Sequence, residues 1–278
     1  MKVAVIGGRG FVGTEVSRRL GEEHEVTTID PKVGGEGHIS ADITVPGSIG
    51  EALGEEEFDA VVNLAGLTPM KEPRGVSYRE LHVEGAGNVV EACEESSVER
   101  LVHMSALGAD PDSTTEYLRT KGEGKERVLD SGLEVTVLEP SLVFDDGNEL
   151  VELAKRFAST RAFPNVRTRV QPVYRGDVAE LFRLAVEGGV EEEVLEVGGP
   201  ENMTIFEFVK ETYRSEGYSC YPIPLQPLMK FGLYLAEPLP FVPYGADQAK
   251  YLYLDNTVEE NDAEEYVELT GVEEWLEE

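Results

Sequence analysis

Three side chains in the middle of the chain have the types and the spacing of an acid/base site. Tyr117 and Lys121 are four residues apart in a predicted helix, Glu116–Asp130, so they share one face of that helix. A free tyrosine has a pKa of about 10, and a nearby ammonium lowers this pKa because it favours the phenolate. We therefore expect Tyr117 to exchange a proton with a carbonyl or hydroxyl group. Ser105, at the end of a predicted strand, would hydrogen-bond the reacting oxygen.

Structural interpretations compete with these roles. A tyrosine four residues before a lysine also occurs by chance, as a half-buried ring beside a solvated ammonium. His103 would face the same side as Ser105, and we interpret it as a packed strand residue rather than a proton relay. Cys93 is interpreted as a small buried hydrophobic residue and Trp275 as a packing anchor. The two cysteines and four scattered histidines lack tetrahedral zinc spacing, so no metal is expected.

The elements that would position these residues alternate between strand and helix. Short β-branched apolar runs predict strands, and apolar residues four apart predict helices. The predicted order is strand Lys2–Ile6, helix Phe11–Leu20, strands Glu25–Ile29 and Asp59–Leu64, helix Val76–Glu95, strand Leu101–Met104, helix Glu116–Asp130 and strand Glu134–Leu138. Such alternation gives a parallel sheet with right-handed crossovers.

The alternation becomes irregular after Pro140. The later predictions are helices Asn148–Ala158, Gly176–Val186 and Thr204–Tyr213, an extended piece Arg167–Val173 and a strand Glu193–Val197. The expected fold is α/β, a Rossmann-type doubly wound parallel sheet with a smaller C-terminal region that caps the substrate pocket. We expect residues 1–165 to form the nucleotide-binding core. Residues 166–278 would complete the sheet and cap the pocket, packed with the core as one unit.

A glycine-rich turn, Gly7-Gly8-Arg9-Gly10-Phe11-Val12-Gly13, joins the first strand to the first helix. In this pattern Gly7 permits the tight turn, Gly10 lets the backbone approach a pyrophosphate, and Gly13 lets the helix pack closely on the strand. The N–H groups and dipole at the helix start favour an anion. The structural alternative is a turn that only links strand to helix.

The second strand ends at Asp30, where a carboxylate can accept hydrogen bonds from an adenosine ribose. The same carboxylate repels a 2′-phosphate, so NAD(H) is expected in preference to NADP(H). Arg9 and Lys32 are close enough in sequence to weaken that preference.

Further segments fall in the order typical of one superfamily. From residue 1 to about 210 the chain resembles the short-chain dehydrogenase/reductase superfamily, in its extended and atypical, NAD-dependent epimerase/dehydratase-like branches. Beyond the glycine turn, the segments that carry this resemblance are Ala41–Ile43, Asn63–Gly66, Val83–Val90, Gln171–Ala179 and Val197–Pro200. Ser105–Ala109 and Tyr117–Gly124 are most similar to the group around the dehydrogenase-like accessory subunit of respiratory complex I.

The resemblance implies roles for specific residues. Ser105, Tyr117 and Lys121 match the catalytic constellation of the superfamily, in which the lysine also holds the nicotinamide ribose. The implied cofactor contacts are Gly7, Arg9, Gly10, Phe11, Val12, Gly13, Asp30, Asp42, Ile43, Leu64, Ala65, Gly66, Lys121 and Pro140. The segment that contains Tyr174, Arg175 and Asp177 often borders the substrate pocket, and a structural role for these three stays open.

Three residues depart from the pattern of the extended members. His82 replaces an asparagine that supports the site, Glu139 replaces a common arginine, and Asp145 replaces a glycine. Glu139 and Asp145 add negative charge where nucleotide-sugar diphosphates often bind, which argues against such a substrate.

Two functions remain open on this basis. One is an NAD(P)-dependent oxidoreductase or epimerase-type enzyme that acts by hydride transfer on a small hydroxyl- or carbonyl-bearing substrate. The other is a non-catalytic NAD(P)H-binding protein with an assembly or redox-sensing role in a respiratory-type complex. A homo-oligomer also stays open.

The chain is strongly acidic, with 55 Asp+Glu against 24 Lys+Arg and a formal net charge of -31. The acids are spread along the whole chain, which is typical of a protein that stays hydrated in molar salt and indicates an extreme halophile; the alternative is an acidic interaction surface. The same charge argues against nucleic acid and anionic membranes as partners, because it repels phosphate. The most apolar stretch, residues 218–244, is broken by prolines and does not predict a spanning helix. Two isolated cysteines and a start without a signal-like apolar segment predict a cytoplasmic location.

Overall fold

Strands alternate with helices through the first half of the computed structural model, which describes residues 1–31, 34–69, 75–96, 98–224, 250–251 and 253–277. The strands are β1 Lys2–Ile6, β2 Glu25–Asp30, β3 His38–Ser40, β4 Ala60–Asn63, β5 Arg100–Met104, β6 Glu134–Pro140, β7 Val143–Phe144, β8 Ala162–Pro164, β9 Arg169–Val170, β10 Val173–Tyr174, β11 Val194–Val197, β12 Met203–Thr204 and β13 Tyr221–Ile223. The helices are α1 Phe11–Leu20, α2 Ser48–Leu53, α3 Gly85–Glu94, α4 Glu116–Leu129, α5 Glu149–Phe157, α6 Arg175–Val186, α7 Ile205–Ser215 and α8 Val272–Glu277.

Seven of the described strands form one parallel sheet in the order β11-β6-β5-β4-β1-β2-β3. Successive residues of β1 point to opposite faces, as strand geometry requires. Val3 and Val5 pack with α1 and α6 on one face, whereas Ala4 and Ile6 pack with α2, α3 and α4 on the other. Helices therefore cover both faces, and the fold is the expected Rossmann-type α/β arrangement.

The C-terminal part of the chain contacts the sheet at several points. Strand β11 pairs with β6, and α6 packs on α1. A separate cluster of apolar residues, centred on Phe144, Phe208 and Tyr213, holds α5, α7 and α8 together. That residues 166–278 cap a substrate pocket stays a prediction.

Several local predictions are confirmed. Helix α7 begins with a capping box, in which Thr204 and Glu207 exchange side-chain and backbone hydrogen bonds. Cys93 is fully buried, and burial raises the pKa of its thiol to about 12. Trp275 packs edge-on against Phe144, with ring centroids 5.3 Å apart.

Other elements differ from the prediction. Strand β3 and helix α2 were not anticipated, because each is too short for a clear periodic pattern. The helix expected over Val76–Glu95 contains a π-helical turn at Glu80–Glu84 before α3. The extended piece expected over Arg167–Val173 contains only the two-residue strand β9 and the start of β10. Residues 225–244 of the proline-rich stretch lie outside the described residues. Among the described helices, none has both the length and the apolar character needed to cross a bilayer.

We expect Gly13→Ala to lower the free energy of unfolding by about 2 kcal/mol, because the core has no space for a methyl group there. A Cβ at position 13 would lie 2.1 Å from the Gly7 carbonyl oxygen and 2.8 Å from Gly8 Cα. Urea unfolding measures the loss. The control is Gly50→Ala in α2, where no heavy atom lies within 4 Å. This control should be neutral or gain up to about 1 kcal/mol from helix propensity, and an equal loss in both variants would contradict the packing argument.

Candidate functional site

The predicted site residues meet at the carboxyl ends of three adjacent strands. The glycine turn follows β1, Leu64–Gly66 follows β4, and Ser105 follows β5. In an open α/β sheet this edge is where ligands bind. The fold thus brings segments that are about a hundred residues apart in sequence to one edge.

The glycine turn packs backbone directly on backbone. Gly7 adopts a positive φ of +77°, and the Gly10 N–H donates a hydrogen bond to the Gly7 carbonyl oxygen at 2.9 Å. A Cβ at position 7 would come within 3.0 Å of the Ala65 backbone nitrogen. The turn therefore lies against the loop after β4. Because its glycines have no side chains, a ligand phosphate can approach the protein backbone at the start of α1. Phe11 and Val12, the first residues of α1, are half-buried against the core.

Asp30 is the last residue of β2, and one of its two carboxylate oxygens makes no hydrogen bond to the described residues. The residue is 8% exposed, and its Oδ2 has no hydrogen-bond partner among the described residues. His38 Nδ1 is 3.9 Å from that oxygen, beyond hydrogen-bond distance. The Arg9 guanidinium lies over Gly34, beside the His38 ring, so it borders the same region. Lys32, expected to weaken the NAD(H) preference, lies outside the described residues.

Asp42 and Ile43, two of the implied cofactor contacts, lie in the loop after β3. Asp42 Oδ1 accepts hydrogen bonds from the Thr44 N–H at 2.9 Å and the Thr44 hydroxyl at 2.7 Å. Ile43 is buried, and a Cβ at Gly85 would come within 2.6 Å of its Cγ1. Both residues thus have structural contacts.

Leu64 and Pro140, two further predicted cofactor contacts, lie at the ends of β4 and β6. Leu64 is half-buried against the core that α1 and α6 share. Pro140 is buried, and its carbonyl oxygen accepts a hydrogen bond from the Leu107 N–H at 3.1 Å. No contact in the structure separates a cofactor role from a packing role for these two.

Lys121 is a buried ammonium that reaches back to the sheet. It is 6% exposed, and its Nζ donates a hydrogen bond to the Met104 carbonyl oxygen at 2.9 Å. A Cβ at Gly66 would lie 3.1 Å from the same Nζ, so the glycine leaves room for the lysine. Desolvation lowers the Lys121 pKa to about 8, while the charge of Glu139 opposes this shift.

Tyr117 lies in an aromatic cluster. Its ring is 8% exposed and packs edge-on against Tyr78, His82 and Tyr251, with centroids 5.8, 5.7 and 5.4 Å apart. Burial raises the Tyr117 pKa well above 10, and Tyr251 and Tyr78 raise it further. The expected lowering of this pKa by Lys121 is therefore wrong for this structure. The low-polarity surroundings outweigh the attraction of an ammonium that is bonded to a backbone carbonyl.

Ser105 is less accessible than a substrate-binding hydroxyl was expected to be. Its Oγ is fully buried and has no hydrogen-bond partner among the described residues. The hydroxyl faces the Glu139 carboxylate and opposes the rise in its pKa, without reaching hydrogen-bond geometry. Lys125 Nζ lies 2.8 Å from Glu139 Oε1.

The two buried histidines of the site are neutral. His103 is hydrogen-bonded to Asn63, with 3.2 Å between His103 Nδ1 and Asn63 Nδ2. Burial and the Lys121 charge lower its pKa to about 3. The interpretation of His103 as a packed strand residue fits these contacts.

His82 links two parts of the site through a hydrogen-bond chain that the sequence did not reveal. The Leu67 N–H donates to His82 Nε2 at 3.3 Å, so the ring proton is on Nδ1, which donates to the Thr120 hydroxyl at 3.0 Å. That hydroxyl donates to the Tyr117 carbonyl oxygen at 3.1 Å. Burial, followed by the charges of Lys121 and His103, lowers the His82 pKa to about 2. The only sequence signal for this series of hydrogen bonds is the presence of His82 where extended family members usually have an asparagine.

Asp145 and Arg175 form an ion pair beside the start of α1. Arg175 Nη2 is 2.6 Å from Asp145 Oδ2, and the Trp275 indole N–H donates to Asp145 Oδ1 at 3.2 Å. The same guanidinium lies 4.9 Å from the Phe11 ring centroid and donates to the Phe11 carbonyl oxygen at 3.2 Å. Because Asp145 pairs with Arg175, and Glu139 with Lys125, the charge argument against a diphosphate substrate loses its basis.

Asp177 has a structural role. Its Oδ2 accepts from the Thr270 N–H at 2.7 Å and its Oδ1 accepts from the Thr270 hydroxyl at 3.0 Å. These bonds fasten the segment before α8 to the start of α6.

A cleft of about 570 Å³ lies beside the aromatic cluster. Its lining includes Leu107, Asp110, Leu118, Glu196, Tyr251 and Asn256. Tyr251 thus lines the cleft and also packs on Tyr117.

Acid should destabilise the protein partly through His82. Because its folded pKa is lowered from 6.5 to about 2, the unfolded state binds the extra proton, and stability falls as the pH drops below about 6.5. Between pH 7 and pH 4.5, the free energy of unfolding should fall by about 2 kcal/mol less in His82→Gln than in the wild type. Urea unfolding at both pH values measures this difference. Thr120→Val, which removes the hydrogen bond but no titrating group, should keep the wild-type pH dependence. Equal acid sensitivity in His82→Gln and wild type would contradict the assignment of His82 as neutral.

Comparisons with known proteins agree with this geometry. Residues 3–126 match the model of the NAD dependent epimerase/dehydratase family. The mitochondrial 40 kDa subunit of NADH-ubiquinone oxidoreductase from Neurospora crassa is 28% identical over 171 residues, which cover 61% of this chain and 44% of the subunit. The 2-alkyl-3-oxoalkanoate reductase of Stenotrophomonas maltophilia is 30% identical over 189 residues, covering 57% of this chain and 55% of the reductase. The chain thus spans about half the length of these curated relatives.

Solved structures share the fold over the whole chain. A human epimerase family protein with NADPH has a TM-score of 0.76 at 18% identity, covering 99% of this chain and 98% of that one. The UDP-glucose 4-epimerase of Thermus thermophilus, in complex with NAD, has a TM-score of 0.69 at 21% identity, covering 100% and 98%. At such identities the likeness concerns the fold alone. The family match over residues 3–126, together with the glycine turn and the parallel sheet, makes the N-terminal part of the chain similar to the NAD dependent epimerase/dehydratase family.

Proposed function

We propose that the chain binds a nicotinamide dinucleotide at the carboxyl edge of its sheet. Two features of the sheet edge support this proposal: the shape of the glycine turn and the buried carboxylate of Asp30. The glycine turn has no room for Cβ atoms at Gly7 and Gly13, so backbone surrounds the start of the ten-residue helix α1. One strand away, Asp30 has a buried carboxylate oxygen with no hydrogen-bond partner among the described residues, as a site for a ribose hydroxyl requires.

The residues that would hold the ligand follow from these positions. The turn Gly7–Gly13 and the first N–H groups of α1 would bind the pyrophosphate. Asp30 would accept hydrogen bonds from the adenosine ribose, and Lys121, beside Gly66, would donate to the nicotinamide ribose. When bound, the nicotinamide can give or take a hydride.

NAD(H) should bind more tightly than NADP(H), because Asp30 would repel a 2′-phosphate. We expect Asp30→Ala to weaken NADH binding about tenfold, through the loss of charge-assisted hydrogen bonds, and to narrow the preference over NADPH. Titration of nucleotide fluorescence measures both affinities. Glu25→Ala, which removes an exposed carboxylate at the opposite end of β2, is the matched control. An unchanged NADH to NADPH ratio in Asp30→Ala would mean that Asp30 does not contact the ribose.

We further propose that the site reduces a small carbonyl compound or oxidises the corresponding alcohol. Since burial keeps Tyr117 a neutral phenol, its hydroxyl carries the proton that a reductive step would transfer to a substrate oxygen. Burial disfavours the phenolate that this transfer would leave, so the step would need a nearby positive charge. Lys121 would hold positive charge close to the reacting oxygen. The aromatic rings around Tyr117 favour a small uncharged substrate, since a charged one would lose its hydration there.

The alternative is a protein that holds the nucleotide without turnover and assists a larger respiratory-type complex. Two observations support it. Tyr78, His82 and Tyr251 surround the Tyr117 ring, and the Ser105 hydroxyl faces Glu139 in the interior. In addition, several relatives are named as subunits of NADH-ubiquinone oxidoreductase or of NADH dehydrogenase (ubiquinone).

Tyr117→Phe separates the two functions. For an enzyme we expect turnover to fall at least about 100-fold, because the proton donor is lost, while NADH affinity stays within about twofold of the wild type. The measurement is nicotinamide absorbance with a panel of carbonyl compounds, alcohols and quinones. Tyr78→Phe, which removes a hydroxyl bonded to the Thr68 carbonyl oxygen, is the control and should keep most activity. If the wild type turns over no substrate and never releases its nucleotide, the enzymatic proposal fails and the binding proposal stands.

The remaining expectations concern the protein in its cell. A cytoplasmic location, a homo-oligomer, association with a respiratory-type complex and adaptation to molar salt stay predictions.

A further inference from the structure

The proposed chemistry leaves one buried acid of the site unused. Glu139 is 3% exposed near the end of β6, on the face of the sheet that α4 covers. Parallel pairing sets it opposite Glu196 of β11, and the bond from the Ser105 N–H to the Leu138 carbonyl oxygen sets Ser105 beside it, just after β5. A buried carboxylate is costly unless the fold gives it partners.

Glu139 and Lys121 belong to one charged arrangement under α4. Lys125, one helical turn after Lys121, lies with its Nζ 2.8 Å from Glu139 Oε1 and also donates to the Ala109 carbonyl oxygen at 3.0 Å. The carboxylate is therefore held on the side of the sheet where Lys121 Nζ meets the Met104 carbonyl oxygen. The Ser105 hydroxyl faces the same carboxylate.

The other groups near Lys121 give it no compensating charge. His82, from the π-helical turn, and His103, from β5, are both neutral, and each has its pKa lowered by the Lys121 charge. Among the described residues, Glu139 supplies the negative charge that acts on Lys121, against desolvation of the ammonium. An ammonium buried without a counter-charge readily loses its proton.

We propose that Glu139 is a positioning residue of the site: held by Lys125 beneath α4, its carboxylate keeps Lys121 in the charged ammonium form. The role depends on the carboxylate being ionised. Burial raises the Glu139 pKa above its usual value and the Glu196 charge adds to this rise, while Lys125 and Ser105 oppose it and favour the ionised form. Glu139 thus stabilises the group that the proposed function uses to hold the nicotinamide ribose. The effect of Glu139 on Lys121 is independent of the proposed function, but its consequence for nucleotide binding rests on that proposed function.

The test follows the titration of Lys121 itself, without nucleotide. In protein labelled with carbon-13 at the lysine ε position, NMR reports the protonation of each lysine, and Lys121→Arg identifies the resonance. The wild-type midpoint should lie at about 8. In Glu139→Gln we expect it to fall by about one pH unit, because a nearby negative charge is removed in a medium of low polarity.

The matched control is Glu134→Gln on the same strand. Glu134 is exposed, pairs with Arg100 and lies five residues away, about 17 Å along the strand. Its replacement should leave the Lys121 midpoint unchanged. If Glu139→Gln does not fold, Glu139→Met removes the same charge with a side chain of similar volume. An unchanged Lys121 midpoint in a folded Glu139 variant overturns the proposal.

The pH dependence of NADH affinity separates this inference from the proposed function. If both hold, affinity in Glu139→Gln should begin to fall about one pH unit lower than in the wild type, in step with Lys121. If the Lys121 midpoint shifts but NADH affinity does not follow it, Lys121 does not hold the nucleotide, and the role of Glu139 on Lys121 stands. If NADH affinity is normal while the Lys121 midpoint is insensitive to Glu139, the proposed role of Glu139 fails and the proposed nucleotide binding stands.

Discussion

The close packing of backbone on backbone at the glycine turn is the constraint on which the rest of the site depends. At Gly13 a single methyl group would overlap the Gly7 carbonyl oxygen, and at Gly7 it would press on the Ala65 nitrogen. These contacts fix α1 against β1 and the loop after β4 against the turn. The loop after β4 also contains Gly66, where a Cβ would lie 3.1 Å from Lys121 Nζ, so one short loop contacts both the glycine turn and the ammonium.

The site is built from buried polar groups, and the fold compensates each of them in a different manner. His82 and His103 stay neutral and are used as hydrogen-bonding groups. Lys121 bonds to a backbone carbonyl, and Glu139 pairs with Lys125. Uncompensated burial of any of these groups would cost several kcal/mol. Asp30 Oδ2 and Ser105 Oγ are left without hydrogen-bond partners among the described residues, and Asp30 lies where the proposed ligand would supply one.

The aromatic cluster changes the chemistry expected of Tyr117. A tyrosine on one helix face with a lysine suggests a phenolate and hence a base. In the folded chain, rings from the π-helical region and from the C-terminal part remove water from Tyr117, so the neutral phenol is favoured. The neutral phenol carries the proton that a reductive step needs, while the same surroundings disfavour the phenolate that its transfer would leave.

The sequence by itself determined most strands of the main sheet and the helices between them, though not β3 or α2. It also revealed the glycine turn, Asp30 and the Tyr117/Lys121 pair. These features are local: a turn, a strand end and an i,i+4 spacing each depend on a few neighbouring residues. The three departures from the family pattern, His82, Glu139 and Asp145, were also visible, but their meaning was not. Only the tertiary structure decided that His82 bonds to Leu67 and Thr120, that Glu139 pairs with Lys125, and that Asp145 pairs with Arg175. Ionisation depends on burial and on charges brought close by folding, and for that reason the pKa of Tyr117 could not be predicted from its spacing to Lys121.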